Sequence, residues 1–497
     1  MLESGTHEQQ ADESYTDFAA RYPSYAGTEL LDKLRATEYR RLDEHRQVYL
    51  DYTGGSLYAE SQIQKHFELL RSTVFGNPHS ANPTSATMTE HVERTRRSVL
   101  DYFNAGDDYT LVFTQNASAA LKLVGESFPF APGCRYLLTF DNHNSVNGIR
   151  EFARAKGADV AYAPLLVPGL RFDLGGLETW LDQADPALNN LFAYPAQSNF
   201  SGVKHPLDLV AKARSKGWNV LLDAAAFVPT NILDLEAVQP DFVTISFYKM
   251  FGYPTGVGAL LIRKSALAKL KRPWFAGGTV NFASVQGQAH VLSPNEAAFE
   301  DGTLNYLSIP AVEIGLRHLQ AIGMDLISER VRCLTDWLLK ELLALQHSNG
   351  RAMVRIYGPT TTQARGGTVT LNLYDPQGHL LDYRRVEELA GADGISLRTG
   401  CFCNPGAGEM AEGLTEDDMR AGFTMGADIN LLSFVRMMQE RGHKSAGSIR
   451  ASIGLVTNFT DVWRFLRFIA GFRDQTRLTI GDVTFDIESC RVIRDGS

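Results

Sequence analysis

Between residues 110 and 263 short apolar, β-rich runs alternate with helical patterns, and this alternation restricts the fold more than any other property of the chain. The runs are TLVFT (110–114), YLLTF (136–140), DVAYAP (159–164), NLFAYP (190–195), NVLLDA (219–224), FVTISF (242–247) and GALLIR (258–263). Amphipathic segments separate them, among them ASAALKLVGESF (117–128) and VNGIREFARAKG (146–157), the second closing on a glycine. Strand, helix, strand in that order predicts an α/β domain, a mainly parallel sheet with helices on both faces. Ligands of such sheets sit at the carboxyl ends of the strands, so the residues just after each run are the ones to inspect for chemistry.

The remaining chain predicts more than this one domain, since 497 residues exceed the usual span of a single domain. A long amphipathic helix is expected over 325–346, and the pattern changes after it: GGTVTLNLY (366–374), a cysteine-bearing loop, then GSIRASIGL (447–455). The expected division is an N-terminal segment (1–60) packing with the small domain, a large domain (61–335), a smaller α+β domain with the cysteine loop (336–476) and a β-like tail (477–497). A hydrophobic content of 44% with 21% charged residues excludes disorder, and a net charge of -9 argues against nucleic acid or an anionic membrane as partner. No apolar run is long enough to span a bilayer, and MLESGTHEQQADES lacks the basic-then-apolar order of a secretory signal, so the expected location is cytoplasmic. Five scattered cysteines (Cys134, Cys333, Cys401, Cys403 and Cys490) fit a reducing compartment without a disulfide framework.

The strand ends carry the chemical signals. FTQNASAA runs from a strand into a helix, so Asn116, Ala117 and Ser118 form a candidate anion site at a helix N-terminus; a plain helix cap accounts for the same residues. His143 follows another strand in TFDNHNS, where a satisfied loop histidine is the simpler reading. Asp223 ends NVLLDAAA, where an unpaired carboxylate is costly and needs a cation or several donors. Lys249 lies in SFYKMFGYPTG (246–256), directly beyond a strand and ahead of a turn whose glycines leave room for something to approach. Taken together these residues describe one ligand: an anion cup at Ser118 and Ser246, a carboxylate for a cationic ring nitrogen, a flat-ring partner in His143 and a lysine able to form an imine. Pyridoxal 5'-phosphate makes those four demands, and the Asp223/Lys249 pair is the most diagnostic part.

In their order these motifs resemble the class V, fold-type I pyridoxal phosphate enzymes that include cysteine desulfurases. LRATEYRRL, FAYPAQSNFSGVKHPL, SFYKMFGYPTGVGALL, FEDGTLNYLSIP and LRTGCFCNPGA resemble, more narrowly, the amino-terminal domain of molybdenum cofactor sulfurases, over roughly residues 20 to 475. The resemblance implies that Lys249 is the Schiff-base lysine, that Asp223 pairs with the pyridine nitrogen and that His143 stacks on the ring. It places Asn199 near the ring hydroxyl, gives the phosphate to Ser118 and Ser246, and has Thr303 reach the phosphate of a second subunit, which implies a homodimer.

The stretch RTGCFCNPGAGE (398–409) is the second centre. Cys401 and Cys403 are too close for a usual pair of metal ligands and no second pair completes a zinc site, so no metal is expected. Its glycines and proline predict a mobile loop, with Arg398 near enough to favour a thiolate. In the related desulfurases the second cysteine position aligns with the persulfide-forming nucleophile, which selects Cys403 over Cys401. Arg398 and Arg450 match positions that bind the substrate carboxylate, while a structural ion pair explains either arginine as well. LDYTGGSLY (50–58) stands where the family usually has LDHAGATLY, making Tyr52 a substrate-facing candidate, and Gly408 stands where the sulfurase loop usually reads GAC. The implied activity is removal of sulfur from L-cysteine or a cysteine derivative, giving alanine and an enzyme persulfide for a sulfur-acceptor protein or cofactor. A C–S lyase, epimerase or aminotransferase of a specialised pathway is the alternative on the same frame. The resemblance stops short of the further carboxyl-terminal domain of full-length sulfurases, so sulfuration of the molybdenum cofactor is not expected of these residues alone.

Overall fold

Seven strands form the central sheet of the computed structural model: β1 (Tyr109–Thr114), β2 (Arg135–Thr139), β3 (Asp159–Ala163), β4 (Asn190–Pro195), β5 (Trp218–Asp223), β6 (Phe242–Ser246) and β7 (Gly258–Arg263). Their spatial order is β1-β7-β6-β5-β4-β2-β3. All neighbours are parallel except that β7 runs antiparallel to both β1 and β6. The structure describes residues 2–78, 80–424, 426, 433–434, 437–438, 441, 444–481, 484–486 and 491–493.

The strands are near-continuous apolar runs because the sheet is covered on both faces. Alternate side chains go to opposite sides. Leu111, Phe113, Leu222, Val243 and Ile245 enter one core, while Val112, Leu221, Phe242, Leu260 and Ile262 enter a second, against which helix α1 (Ala117–Ser127) packs through Leu121 and Val124. Every strand expected from the sequence is present to within a residue at each end. Its strand order, and the reversal of β7, are features that a run of apolar residues does not encode.

A four-stranded antiparallel sheet follows, built from β8 (Val354–Tyr357), β9 (Thr368–Leu373), β10 (Arg398–Gly400) and β11 (Ser448–Ser452) in the order β8-β9-β11-β10. Val48–Tyr49 pairs in parallel with Ile395–Ser396, and Asp51 bridges to Ser452, so the N-terminal segment is stitched to this second region. The long helix runs from Met324 to Ala344 and passes unbroken through position 335, so the two regions share it. Of the tail 477–497, the described residues form a helical turn (Arg477–Ile480) and a pairing of Thr484–Asp486 with Arg491–Ile493; residues 482–483, 487–490 and 494–497 lie outside the described residues. Among the described residues no helix is long and apolar enough to cross a membrane.

Candidate active site

The carboxyl ends of β1, β4, β5 and β6 open on a cavity of about 490 Å3 whose lining includes Asn116, Ala117, Ser118, His143, Asn199, Asp223, Ser246 and Lys249. The eight residues expected to surround one cofactor are thus brought to one place. Lys249 stands in the short helix Phe247–Phe251 that β6 leads into, between the buried Phe247 and Met250. Burial lowers its pKa below that of an ordinary lysine; Asp223 opposes the shift, and Arg450 and Arg398 add to it. Gly252 ends that helix at φ +80, and a Cβ there would meet the backbone of Leu57 and Tyr58 at 2.3 Å. The glycine after the lysine therefore makes room for the protein's own N-terminal segment, not for a ligand.

Asp223 is buried at the end of β5. Its Oδ1 accepts from the Ala225 N–H at 3.1 Å and the Thr244 hydroxyl at 3.4 Å, while Oδ2 has no donor among the described residues. His143 caps the turn that follows it: Ser145 N–H donates to Nδ1 at 3.1 Å, so the neutral ring keeps its proton on Nε2. Burial lowers the pKa of His143, against the pull of Asp223 and with the repulsion of Lys249 and Arg450, so the neutral form is favoured. At the start of α1 the Asn116 side chain accepts from Ala119 N–H at 2.9 Å, the Ala117 N–H donates to Ser246 Oγ at 3.2 Å, and the Ser118 and Ser145 hydroxyls pair at 2.6 Å. Asn116 is thus a helix cap as well as part of the cavity lining. Thr303 lies outside this cavity. It is exposed and lines a neighbouring one of about 110 Å3 that shares Gln115 and Gly256 with the first.

The second region supplies the cysteine turn and two arginines. Between Gly400 and helix α2 (Pro405–Glu412) the chain makes one tight turn, with Phe402 (φ +56) and Cys403 (φ +53) in the left-handed region. The expected mobile loop is instead a turn fastened to the first region: Asn199 Nδ2 donates to Phe402 O at 2.8 Å, Asn144 N–H donates to Cys403 O at 2.7 Å, and Asn404 Nδ2 donates to Asp141 O and Asn199 Oδ1, each at 2.8 Å. Cys403 is exposed and enters the electrostatic surroundings of Lys249 and Arg450. Cys401 instead lines a separate, mostly apolar cavity of about 160 Å3 with Phe200, Leu414, Met419 and Phe434. Among the described residues no group of three or more His, Cys, Asp or Glu could hold a metal.

Arg398 and Arg450 face each other across β10 and β11, a like-charge pair that needs neutralising. Asp51, which sequence reasoning missed, does this. Its carboxylate accepts from Arg398 NH2 at 2.6 Å and Nε at 3.0 Å, and from Arg450 NH2 at 2.9 Å. Arg450 also donates to Asn199 O at 3.1 Å, stacks over the Phe402 ring at 4.8 Å and keeps a buried Nε without a partner among the described residues. Both guanidiniums share the Asp51 carboxylate and Glu387 adds to the surroundings of Arg398, so Arg450, with its buried Nε unpartnered among the described residues, is the better placed to meet an anionic ligand. Tyr52 is a correction. Since Asp51 points to the arginines, its neighbour points the other way: Tyr52 is 6% exposed, packs edge-on against Tyr49 and beneath Gly454, and its hydroxyl is buried without a partner among the described residues. It does not line the cavity.

Pyridoxal 5'-phosphate fits these residues. A lysine with lowered proton affinity and an aspartate oxygen without a donor stand on the wall of a cavity large enough for the ring and an amino acid, with a helix N-terminus and two serines at its β1 end.

Comparison with known proteins points the same way. Residues 48–465 match the family model described as Aminotransferase class-V. The molybdenum cofactor sulfurase of Arabidopsis thaliana is 38% identical over 91% of this chain and 59% of its own length; the human molybdenum cofactor sulfurase is 36% identical over 89% and 51%. The chain therefore spans between half and three-fifths of these relatives. A cysteine desulfurase from Thermococcus onnurineus superposes with a TM-score of 0.73 at 23% identity, covering 90% of this chain and 98% of that one. A cystine C-S lyase in complex with its product cysteine persulfide gives 0.64 at 17% identity, covering 86% and 98%. At such identities the superpositions establish a shared fold.

Proposed function

Because this chain belongs to the class-V aminotransferase family, we propose that it uses pyridoxal 5'-phosphate to take sulfur from L-cysteine or a cysteine derivative, leaving alanine and a persulfide on Cys403. The observation that carries this reading is the convergence of Lys249, Asp223 and His143 on one cavity, beside which the Cys403 turn is held through the hydrogen bond from Asn199, a lining residue, to Phe402 O.

When bound, the cofactor supplies an electron sink that weakens bonds around the α-carbon of an amino acid joined to it. Everything else falls to this chain's own residues. Lys249 is the attachment point. Its lowered proton affinity leaves more of the amine neutral, able to attack a carbonyl carbon and to take a proton from the substrate's α-carbon. Asp223 Oδ2, which has no donor among the described residues, would hold the cofactor's ring nitrogen in its protonated form. His143, neutral and oriented by Ser145 N–H, would pack against the cofactor ring. Arg450 and Arg398, half-neutralised by Asp51, receive the substrate carboxylate and so turn its side chain toward Cys403. Cys403 Sγ takes the sulfur atom. Thr303, exposed beside the cofactor cavity, completes the phosphate site of a second copy, so the working form is a homodimer; light scattering of the loaded protein should give the mass of two chains, and a fully loaded monomer would reject it. The persulfide is passed on to an acceptor protein or cofactor.

Purified protein loaded with the cofactor and given L-cysteine should yield alanine together with a persulfide that peptide mass spectrometry maps to Cys403. In Cys403→Ala both products should fall about a hundredfold or more with the cofactor's colour intact, whereas Cys401→Ala should change them by less than about threefold, since its thiol faces another cavity. Pyruvate in place of alanine, with no persulfide on the enzyme, would sink the reading in favour of a C–S lyase.

A further inference from the structure

A further cavity, of about 200 Å3, lies where the turn after β4, the segment before β9 and the helix Met324–Ala344 meet. It adjoins the wall of the first: Asn231, which lines it, donates from Nδ2 to Oε1 of Gln197, which lines the other. Two cations line this cavity without an ion-pair partner among the described residues. Arg365 is 3% exposed. Its NH1 and NH2 donate to the carbonyl oxygens of Pro359 and Thr368, its Nε has no partner among the described residues, and it forms no ion pair among them. Burial, and after it repulsion by Arg171, lowers the Arg365 pKa to about 9. Lys204 is half-buried, donates from Nζ to Asn231 Oδ1 at 3.2 Å and likewise has no ion pair among the described residues; burial lowers its pKa too. Two carboxylates belong to the same lining, but Glu329 is paired with Arg332 at 2.6 Å and Asp325 is exposed, and neither contributes to the electrostatic surroundings of Lys204 or Arg365. Thr335 adds a buried hydroxyl without a partner among the described residues.

Cations withdrawn from water are retained when an anion offsets them, and among the described residues no carboxylate pairs with Lys204 or Arg365. We propose that this cavity binds a small oxyanion of the phosphate type between Lys204 and Arg365, with the Thr335 hydroxyl as a further donor. A dianion can neutralise both cations, which a single carboxylate cannot, and its several oxygens can serve a guanidinium, an ammonium and a hydroxyl together. The three groups come from three segments: Lys204 from the turn after β4, Arg365 from the entry to the second sheet, Thr335 from the shared helix. Lys204 N–H already donates to Ala364 O at 2.9 Å, so the two cations sit on adjoining backbones. The bound ion would pin the two regions together directly behind the active cavity.

The test uses the cofactor-loaded protein, so that the cofactor's own phosphate site is filled. Inorganic phosphate is titrated at constant ionic strength against chloride, with binding read by calorimetry and by the midpoint of thermal unfolding, since a ligand of the native state raises that midpoint. Wild type should show a saturable response; Lys204→Gln should weaken the affinity about tenfold or more, and Lys204→Arg should retain it. Glycerol 2-phosphate in a parallel arm separates a site for the free ion from one for the terminal group of a phosphate ester, and either response supports the site. Equal phosphate responses in wild type and Lys204→Gln, or no saturable response beyond that of chloride, would overturn it.

Discussion

Lys249 follows a strand whose five residues are all buried, in a sheet with a core on each face, whereas Cys403 is itself exposed, in a turn with two left-handed residues that packs through one apolar side chain, Phe402 against Phe200. Position is achieved in the first case by burying side chains around a strand end. In the second it depends on polar groups: Asn199, Asn144 and Asn404, with Asp141, hold the turn by hydrogen bonds that cross from one region to the other. Apolar packing is redundant, so one missing contact is partly compensated by the rest. A hydrogen-bonded clamp is not, because each donor or acceptor deprived of its partner in a buried place costs about 1–3 kcal/mol. A chemical centre built from both halves should therefore be robust in cofactor attachment and sensitive in sulfur transfer.

The largest effect tests the first half. Lys249→Ala removes the only lysine that lines the cavity among the described residues, so the borohydride-reducible covalent link to pyridoxal phosphate should vanish and turnover with it, by three or more orders of magnitude. Folding should survive, because the wall is held by its apolar neighbours. A reduced adduct found on another lysine would show that the strand end has been misassigned.

The second half is tested at Asn404, which is fully buried and whose donors serve Asp141 O and Asn199 Oδ1 while its Oδ1 caps α2 through Ala407 N–H at 3.2 Å. Asn404→Ala should lower stability by about 1–3 kcal/mol and reduce alanine and persulfide formation about tenfold or more, with cofactor colour and KM little changed. Asn404→Asp keeps the cap yet turns both donors into acceptors, and should match the alanine variant in sulfur transfer while recovering part of the stability. Equal loss of cofactor binding and sulfur transfer in these variants would break the comparison, for it would mean that the turn and the wall fail together.

The same contrast explains what could be read from the residues alone. Strands announced themselves as apolar runs, and Lys249 and Asp223 as polar residues just beyond them, since a charged group after a buried strand needs a reason. Nothing local marks Asp51 as the carboxylate between Arg398 and Arg450, because the partners lie 347 and 399 positions away. The Asn404 clamp was illegible for the same cause. Tyr52 was misread as substrate-facing because its contacts are tertiary, although strand alternation beside Asp51 would have turned it inward once Asp51 was placed. The reversal of β7 is set by connections and neighbours, not by GALLIR itself.

The smallest effect concerns pH and isolates the cost of keeping a lysine in the wall. Lys249 has a lowered pKa in the folded protein, chiefly through burial, while in the unfolded chain it titrates near the ordinary value of 10.5. Between those two values the unfolded chain binds more protons than the folded one at this site. Stability of the cofactor-free protein must then rise with pH across that window, because the slope follows the difference in bound protons, unfolded minus folded. Below the window the ammonium is present in both states and the folded state bears its full cost; above 10.5 the cost is gone. Lys249→Met removes the titrating group while filling similar space. The variant should accordingly be more stable than wild type at neutral pH when both lack the cofactor, and its advantage should shrink as pH is raised toward 10.5. Urea unfolding at a series of pH values measures this difference and cancels the titrations that the two proteins share. An advantage that stayed constant with pH would mean that Lys249 is no costlier in the folded wall than in water, and that the packed half of the site carries no electrostatic strain for the cofactor to relieve.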